Sequence, residues 1–145
     1  MVEELPELAE ATVAVQHLIN AAHELSARTS RELGVNPTDM SALGLLEQYG
    51  PMGPAELATK LGIRTASVTV LIDRLERNGH VQRSAHPSDR RRVTVAATPA
   101  AHRATLELLR PAIVAIDRIS RDLDPAEQRV VNEYLRKVMQ AMQPR

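Results

Sequence analysis

GIRTASVTVLIDRLERNGHVQRSAHPSDRRRVTVAAT, residues 62–98, sets an amphipathic helix directly before a short hairpin that carries Arg90, Arg91 and Arg92. Val68, Leu71, Ile72 and Leu75 recur at i, i+3, i+4 and i+7, which buries one face of a helix over residues 65–78. Ala66, Thr69, Val70, Asp73 and Arg77 then look away from that face. Asn78-Gly79 stops the helix. Residues 80–83 and 91–96 read as β runs, with Val93 and Val95 alternating inward, joined by the turn His86-Pro87-Ser88-Asp89. A helix of groove-filling width beside a basic finger suits two grooves of a DNA duplex.

Prolines punctuate the rest of the chain. Asn36-Pro37, Gly53-Pro54, Thr98-Pro99 and Asp124-Pro125 each place a plausible capping residue before a proline at the first helical position. Asp39, Glu56 and Glu127 fall near the third position, where a carboxylate favours the positive end of the helix dipole. Six helices follow, over residues 6–32, 37–48, 54–61, 65–78, from 98 onward, and 125–142. In the first, Leu8, Ala11, Val15, Leu18, Ala22 and Leu25 form a narrow seam suited to another helix, and Gly34 ends it. Met40, Leu43 and Leu46 point inward from the second. The third and fourth, joined at Gly62-Ile63, make a helix-turn-helix, and the hairpin is its wing. The fifth carries Leu106, Leu109, Ile113, Ile116 and Ile119 and is expected to bend at Pro111; the sixth carries Val131, Leu135, Val138 and Met142.

The fold class expected is mainly α with a small β-hairpin wing: a winged helix-turn-helix domain with long N- and C-terminal dimerisation helices. Residues 1–35 would form the N-terminal dimerisation helix, 36–98 the DNA-binding lobe and 99–145 the C-terminal dimerisation helices, in one structural domain overall. The terminal apolar stripes exceed what a central lobe with its own core can cover, so a homodimer is expected.

The 145 residues carry a formal net charge of zero, which by itself argues against a nucleic-acid partner. That average conceals segregation. Between residues 64 and 92 stand seven arginines against the three acids Asp73, Glu76 and Asp89, whereas the first ten residues hold four glutamates and no base. Only Lys60 and Lys137 are lysine, so recognition would rest on guanidinium forks. Without cysteine, disulfides, thiolate metal sites and thiol redox sensing are excluded, and no histidine–carboxylate cluster has zinc-ligand spacing. No cofactor is expected. No apolar run approaches the roughly 20 residues that span a bilayer, and a soluble cytoplasmic protein is expected.

ELATKLGI, SVTVLIDRLERNGHV and DRRRVTVAAT, within residues 56–98, resemble the MarR family of bacterial winged-helix transcription regulators. The wing pattern of that family is D-x-R with valines two and four residues past the arginine and a threonine opening the next helix. Asp89, Arg91, Val93, Val95 and Thr98 fit it. Helix order and length match over the whole chain. The resemblance implies a homodimer interlocked through its first, fifth and sixth helices. Two winged lobes would read a pseudo-palindromic double-stranded operator with half-sites about one helical turn apart. It also implies a repressor released by a small aromatic or amphipathic effector.

By position, the resemblance makes Arg91 the wing-tip arginine that enters the minor groove, with Arg90 and Arg92 on phosphate. Asp89 is expected to hold the wing by pairing with an arginine, for which Arg74 is the candidate. On the recognition helix, Thr65, Ser67 and Thr69 would donate to phosphates or base edges, and Ala66 and Val70 would meet thymine methyls. Many members place serine where this chain has Arg64 and arginine where it has Val70. Arg64 is therefore expected to reach phosphate and Thr65 to cap the helix, and guanine readout at position 70 is in doubt. Near the first, second and fifth helices, where the family binds effectors, the chain offers His17, His23, Arg28, Met40, Tyr49 and His102.

Two other classes compete. A winged-helix protein-interaction module without DNA binding would suit the neutral net charge and Val70. An enzyme would have to use His86 with Ser88 or Asp89, which sit in a turn with neither oxyanion donors nor a preorganised pocket.

Overall fold

The computed structural model describes residues 7–143. Its elements are α1 (Glu10–Leu33), α2 (Pro37–Tyr49), α3 (Pro54–Leu61), α4 (Thr65–Arg77), β1 (Val81–His86), β2 (Asp89–Ala97), α5 (Pro99–Arg121) and α6 (Pro125–Ala141). Four of the helices begin on proline, whose missing N–H would lack an intrahelical acceptor there anyway. Asn36 accepts the Asp39 N–H at 2.8 Å, and Thr98 accepts the Ala101 N–H at 3.2 Å. Asp124 and Glu127 form a reciprocal capping box. The punctuation read in the sequence is thus realised at each of these helix starts.

The chain divides into two compact units between Leu106 and Glu107. In the first, the core is built by Leu43 and Leu46 from α2, Leu57 and Ala58 from α3, and Val68, Leu71, Ile72 and Leu75 from α4. Met52, Val81 and Val95 close it from the hairpin side. The helix-turn-helix bend depends on Gly62, which sits at φ 67°, a left-handed conformation that side chains disfavour. There the Gly62 N–H donates to Thr59 O at 3.2 Å and the Ile63 N–H to Ala58 O at 3.1 Å, closing α3.

β1 and β2 pair antiparallel from Val81 opposite Ala97 to Ala85 opposite Val93, with an irregularity before His86 opposite Asp89. Both strands run further toward the tip than their apolar alternation predicts, leaving Pro87 and Ser88 as the turn. Met52 adds a bridge to Val95, its N–H donating at 3.1 Å and its carbonyl accepting at 2.8 Å. The wing is therefore anchored at its base by the segment Gly50-Pro51-Met52-Gly53 between α2 and α3. Val95 is fully buried, but Val93 is 43% exposed, contrary to the inward position expected for it. Alternation places both on one face, yet that face outruns the core by the time the hairpin reaches Val93.

α1 starts later than the seam predicts. Pro6, the expected first residue, lies outside the described residues; Glu7, Leu8 and Ala9 are not helical, and Ala9 as N-cap supplies no side-chain acceptor. Leu8 thus precedes the helix. Within α1, Val15 and Leu25 are half-buried and Leu18 is exposed. Thr29 and Ser30 are buried with their hydroxyls satisfied by Leu25 O at 2.9 Å and Ala27 O at 3.0 Å.

Thr98 ties the wing to the next helix. Its N–H donates to His80 O at 2.9 Å, and its hydroxyl donates to Gly79 O at 2.7 Å while capping α5. Thr98→Ala is expected to lower the unfolding free energy by about 1–2 kcal/mol, the loss of one cap and one hydrogen bond. Urea denaturation checks this, and Thr98→Ser should retain most of the stability.

In the second unit, α5 continues through Pro111 without interruption, and Ile113, Ile116 and Ile119 are exposed. On α6, Val131 is exposed while Leu135 and Val138 are half-buried, and Met142, the C-cap residue, is exposed. No described helix is long and apolar enough to cross a membrane.

Candidate nucleic-acid interface

α4 presents two contrasting faces. Val68, Leu71, Ile72 and Leu75 are buried, whereas Ala66, Ser67, Thr69, Val70, Asp73 and Arg77 are exposed. The N-cap is Arg64, without a side-chain cap, and Thr65 is the first helical residue. Contrary to expectation, Thr65 therefore does not cap: the backbone turns at Arg64, one residue too early for the Thr65 hydroxyl to reach the orphan amides. Those first N–H groups stay uncapped by any side chain, at an exposed helix start flanked by the Arg64 guanidinium.

Arg74 does not pair with Asp89. Its Nε donates to Asp39 Oδ2 at 2.8 Å and its Nη2 to Asp39 Oδ1 at 2.6 Å, a bidentate fork. Asp39 is almost wholly buried, its side chain 3% exposed against 39% for Arg74. Hydrogen bonding to Asp39 raises the Arg74 pKa above its usual value, so the charged form is favoured. Asp39 is more than a carboxylate at a helix start. It locks α2 to α4, and only folding brings the two residues together, 35 positions apart in sequence.

Asp89 instead accepts the Arg91 backbone N–H at 3.0 Å, shaping the tip through a local turn. Arg90, Arg91 and Arg92 are exposed and make no ion pair among the described residues. The tie between wing and α4 is Arg83, which sequence reasoning missed. From β1 it reaches Asp73 and, at 2.8 Å, Glu76, and its own N–H donates to Glu76 at 3.1 Å. The bond to Asp73, then that to Glu76, holds its guanidinium charged. The signal lay in Asp73 and Glu76, three apart on a helix and so on neighbouring positions.

The six candidate effector residues do not gather. His17, His23 and Arg28 are exposed on α1, and Met40 is buried in the lobe. Tyr49 is exposed, with Lys60 Nζ 4.1 Å from its ring centroid. His102 bonds Glu47 through Nδ1 and lines a cleft of about 350 Å³ with Leu46, Glu47, Pro51, Ala97 and Pro99. A larger cleft of about 620 Å³ lies along α2 and the helix-turn-helix bend, lined by Pro37, Ser41, Leu45, Lys60 and Ile63. None of the other five residues lines either cleft.

A helix-turn-helix with an exposed second helix, an adjacent arginine-tipped hairpin and acids bonded by Arg83 defines a winged-helix DNA-binding lobe. The profile of the MarR family matches residues 35–93. The HTH-type transcriptional regulator YcgE of Bacillus subtilis is 34% identical over 121 residues, 83% of this chain and 77% of that regulator. The chain belongs to the MarR family and is an HTH-type transcriptional regulator. The transcriptional regulator Tm0710 of Thermotoga maritima shares the fold with a TM-score of 0.66 at 24% identity, over 90% of this chain and 92% of that one. NadR, crystallised with 4-hydroxyphenylacetate, reaches 0.66 at 19% identity, over 94% and 97%.

Proposed function

We propose that this regulator works as a homodimer on a pseudo-palindromic operator, with α4 in the major groove and the wing in the minor groove of each half-site. The observation that carries this reading is the exposed trio Arg90, Arg91 and Arg92, free of ion pairs among the described residues, in the same unit as the outward face of α4. Arg91 is the minor-groove residue, Arg90 and Arg92 meet phosphate, and Arg64 with Thr65 and Ser67 meets phosphate at the uncapped start of α4. Arg74 serves by holding α4 on α2. Dimerisation is supported by the apolar side chains that α1, α5 and α6 expose, among them Leu18, Ile116, Ile119 and Val130. A dimer seated on a promoter excludes other proteins from it, so the regulator represses, in the cytoplasm. An aromatic or amphipathic molecule, held in the cleft beside His102 and Glu47, releases it.

Selection of bound duplexes from a random pool tests the reading. The expected result is a palindrome whose half-sites are centred about one helical turn apart. Recovery of no sequence at low salt would turn the lobe into a protein-interaction module, and a monomer in sedimentation equilibrium would remove the operator symmetry.

A further inference from the structure

On α4, Ala66, Val70, Asp73 and Arg77 stand at i, i+4, i+7 and i+11, a single outward stripe. Of its two polar members, Arg77 lies in the last turn and Asp73 is engaged within the lobe. Asp73 is held by Arg83, and Glu76 beside the stripe is held by the same guanidinium. Arg74 is turned away into its fork with buried Asp39. The Thr69 hydroxyl donates to Thr65 O at 3.2 Å, so its hydrogen is used within the helix. Apart from Thr65 and Ser67, assigned above to phosphate, what the first two turns offer a groove is apolar: the Ala66 methyl, the isopropyl group of Val70, which is 60% exposed, and the Thr69 methyl. Cations flank that patch instead of occupying it, with Arg64 at the helix start, Arg77 in the last turn and Arg90 to Arg92 on the wing, all exposed.

The major groove presents one apolar group, the C5 methyl of thymine. Guanine is read there by a free arginine or lysine fork, and cytosine by a free carboxylate; of the four side chains of α4 that could act so, Arg74, Asp73 and Glu76 are engaged by partners within the lobe, and Arg77 stands in the last turn, beyond the apolar patch of the first two. We infer that Val70, with Ala66 and the Thr69 methyl, reads thymine methyl groups at the centre of each half-site, and that α4 makes no bidentate guanine contact there. The inference rests on the DNA-binding reading above. It makes Val70 the residue of α4 that determines specificity, in a duplex held by the flanking arginines.

The test uses the tightest duplex from the random pool, with each thymine replaced in turn by deoxyuridine in both half-sites and affinity read by fluorescence anisotropy. Removing one contacted methyl should weaken binding about fourfold, hence about 15-fold for the symmetric pair in a dimer. Val70→Ala, at a surface position where helicity should be unchanged, should bring the thymine-to-uracil ratio at that step close to one, a coupling that a general change in duplex stiffness would not produce. 7-Deazaguanine within the same span should alter affinity by less than about twofold, because no fork bonds N7. Equal binding of every uracil duplex, or a larger loss with 7-deazaguanine than with uracil, would overturn the inference while leaving the operator intact. Failure to select any duplex would overturn the interface itself, and this inference with it.

Discussion

Arg74→Ala is expected to lower the unfolding free energy by about 3 kcal/mol, the largest loss from any charged position in the lobe. Truncation leaves the Asp39 carboxylate buried with neither of its side-chain donors. Such an orphaned charge typically costs about 3–5 kcal/mol, and the partial exposure of Arg74 places this case at the low end, since water can enter the vacated space. Asp39→Asn should lose less, about 1–2 kcal/mol, because a neutral amide is easier to bury and still accepts one bond. Replacing both by leucine should recover much of the loss. Urea unfolding of the unsubstituted protein, Arg74→Ala, Asp39→Asn and the variant that combines those two changes completes the cycle. Near-additive losses for the two single changes would show that the pair contributes little as a pair. DNA binding should fall along with stability, since the fork sets the height of α4 on α2.

Salt should act on the operator complex with equal force. If roughly eight phosphates are neutralised per dimer, log affinity should fall against log salt with a slope of about −7. Affinity then drops about 10⁴-fold between 50 and 200 mM salt. A protein partner would show a far weaker dependence. Arg91→Ala should cost about 1–3 kcal/mol of specific binding with the dimer intact. It acts at the tip, exposed, where Asp89 is bonded to the backbone N–H and not to the guanidinium, so the turn survives the change. Filter binding over a salt series, beside sedimentation of the same variant, reads both effects. Unchanged affinity would show an idle wing, and a monomeric variant would show a structural role.

Local signals were legible wherever the chain states its own conformation. Pro37, Pro54, Pro99 and Pro125 start helices because a ring at the first position loses no hydrogen bond, and that is true before any packing occurs. The spacing of Val68, Leu71, Ile72 and Leu75 marked the buried face of α4 for a similar reason: helical period alone puts them on one side. Val93 shows where such reasoning ends. Alternation places it on the same face as Val95, but how far the core extends beneath a strand is set by other elements. The start of α1 was misplaced because a repeating apolar pattern can run past a helix end where no side chain caps the backbone.

The candidate site divides in the same way. The arginine-rich tip, the Asp89 turn and the outward stripe of α4 are properties of contiguous sequence, so composition and period expose them. Partner choice among charges is not. Arg74 had Asp73, Glu76 and Asp89 closer along the chain, yet it bonds Asp39, 35 residues away; Arg83, unremarked in the sequence, takes Asp73 and Glu76. An ion pair depends on distances of a few ångströms between side chains whose backbones are placed by the core, and no local rule encodes that. Sequence by itself determined that this protein is a winged helix-turn-helix with an arginine-tipped hairpin, because caps, turns and apolar period act within a few residues. Tertiary structure alone decided which arginines are spent within the lobe and which remain for DNA, because burial of Asp39 and the seating of α4 between α2 and the wing settle where each guanidinium can reach.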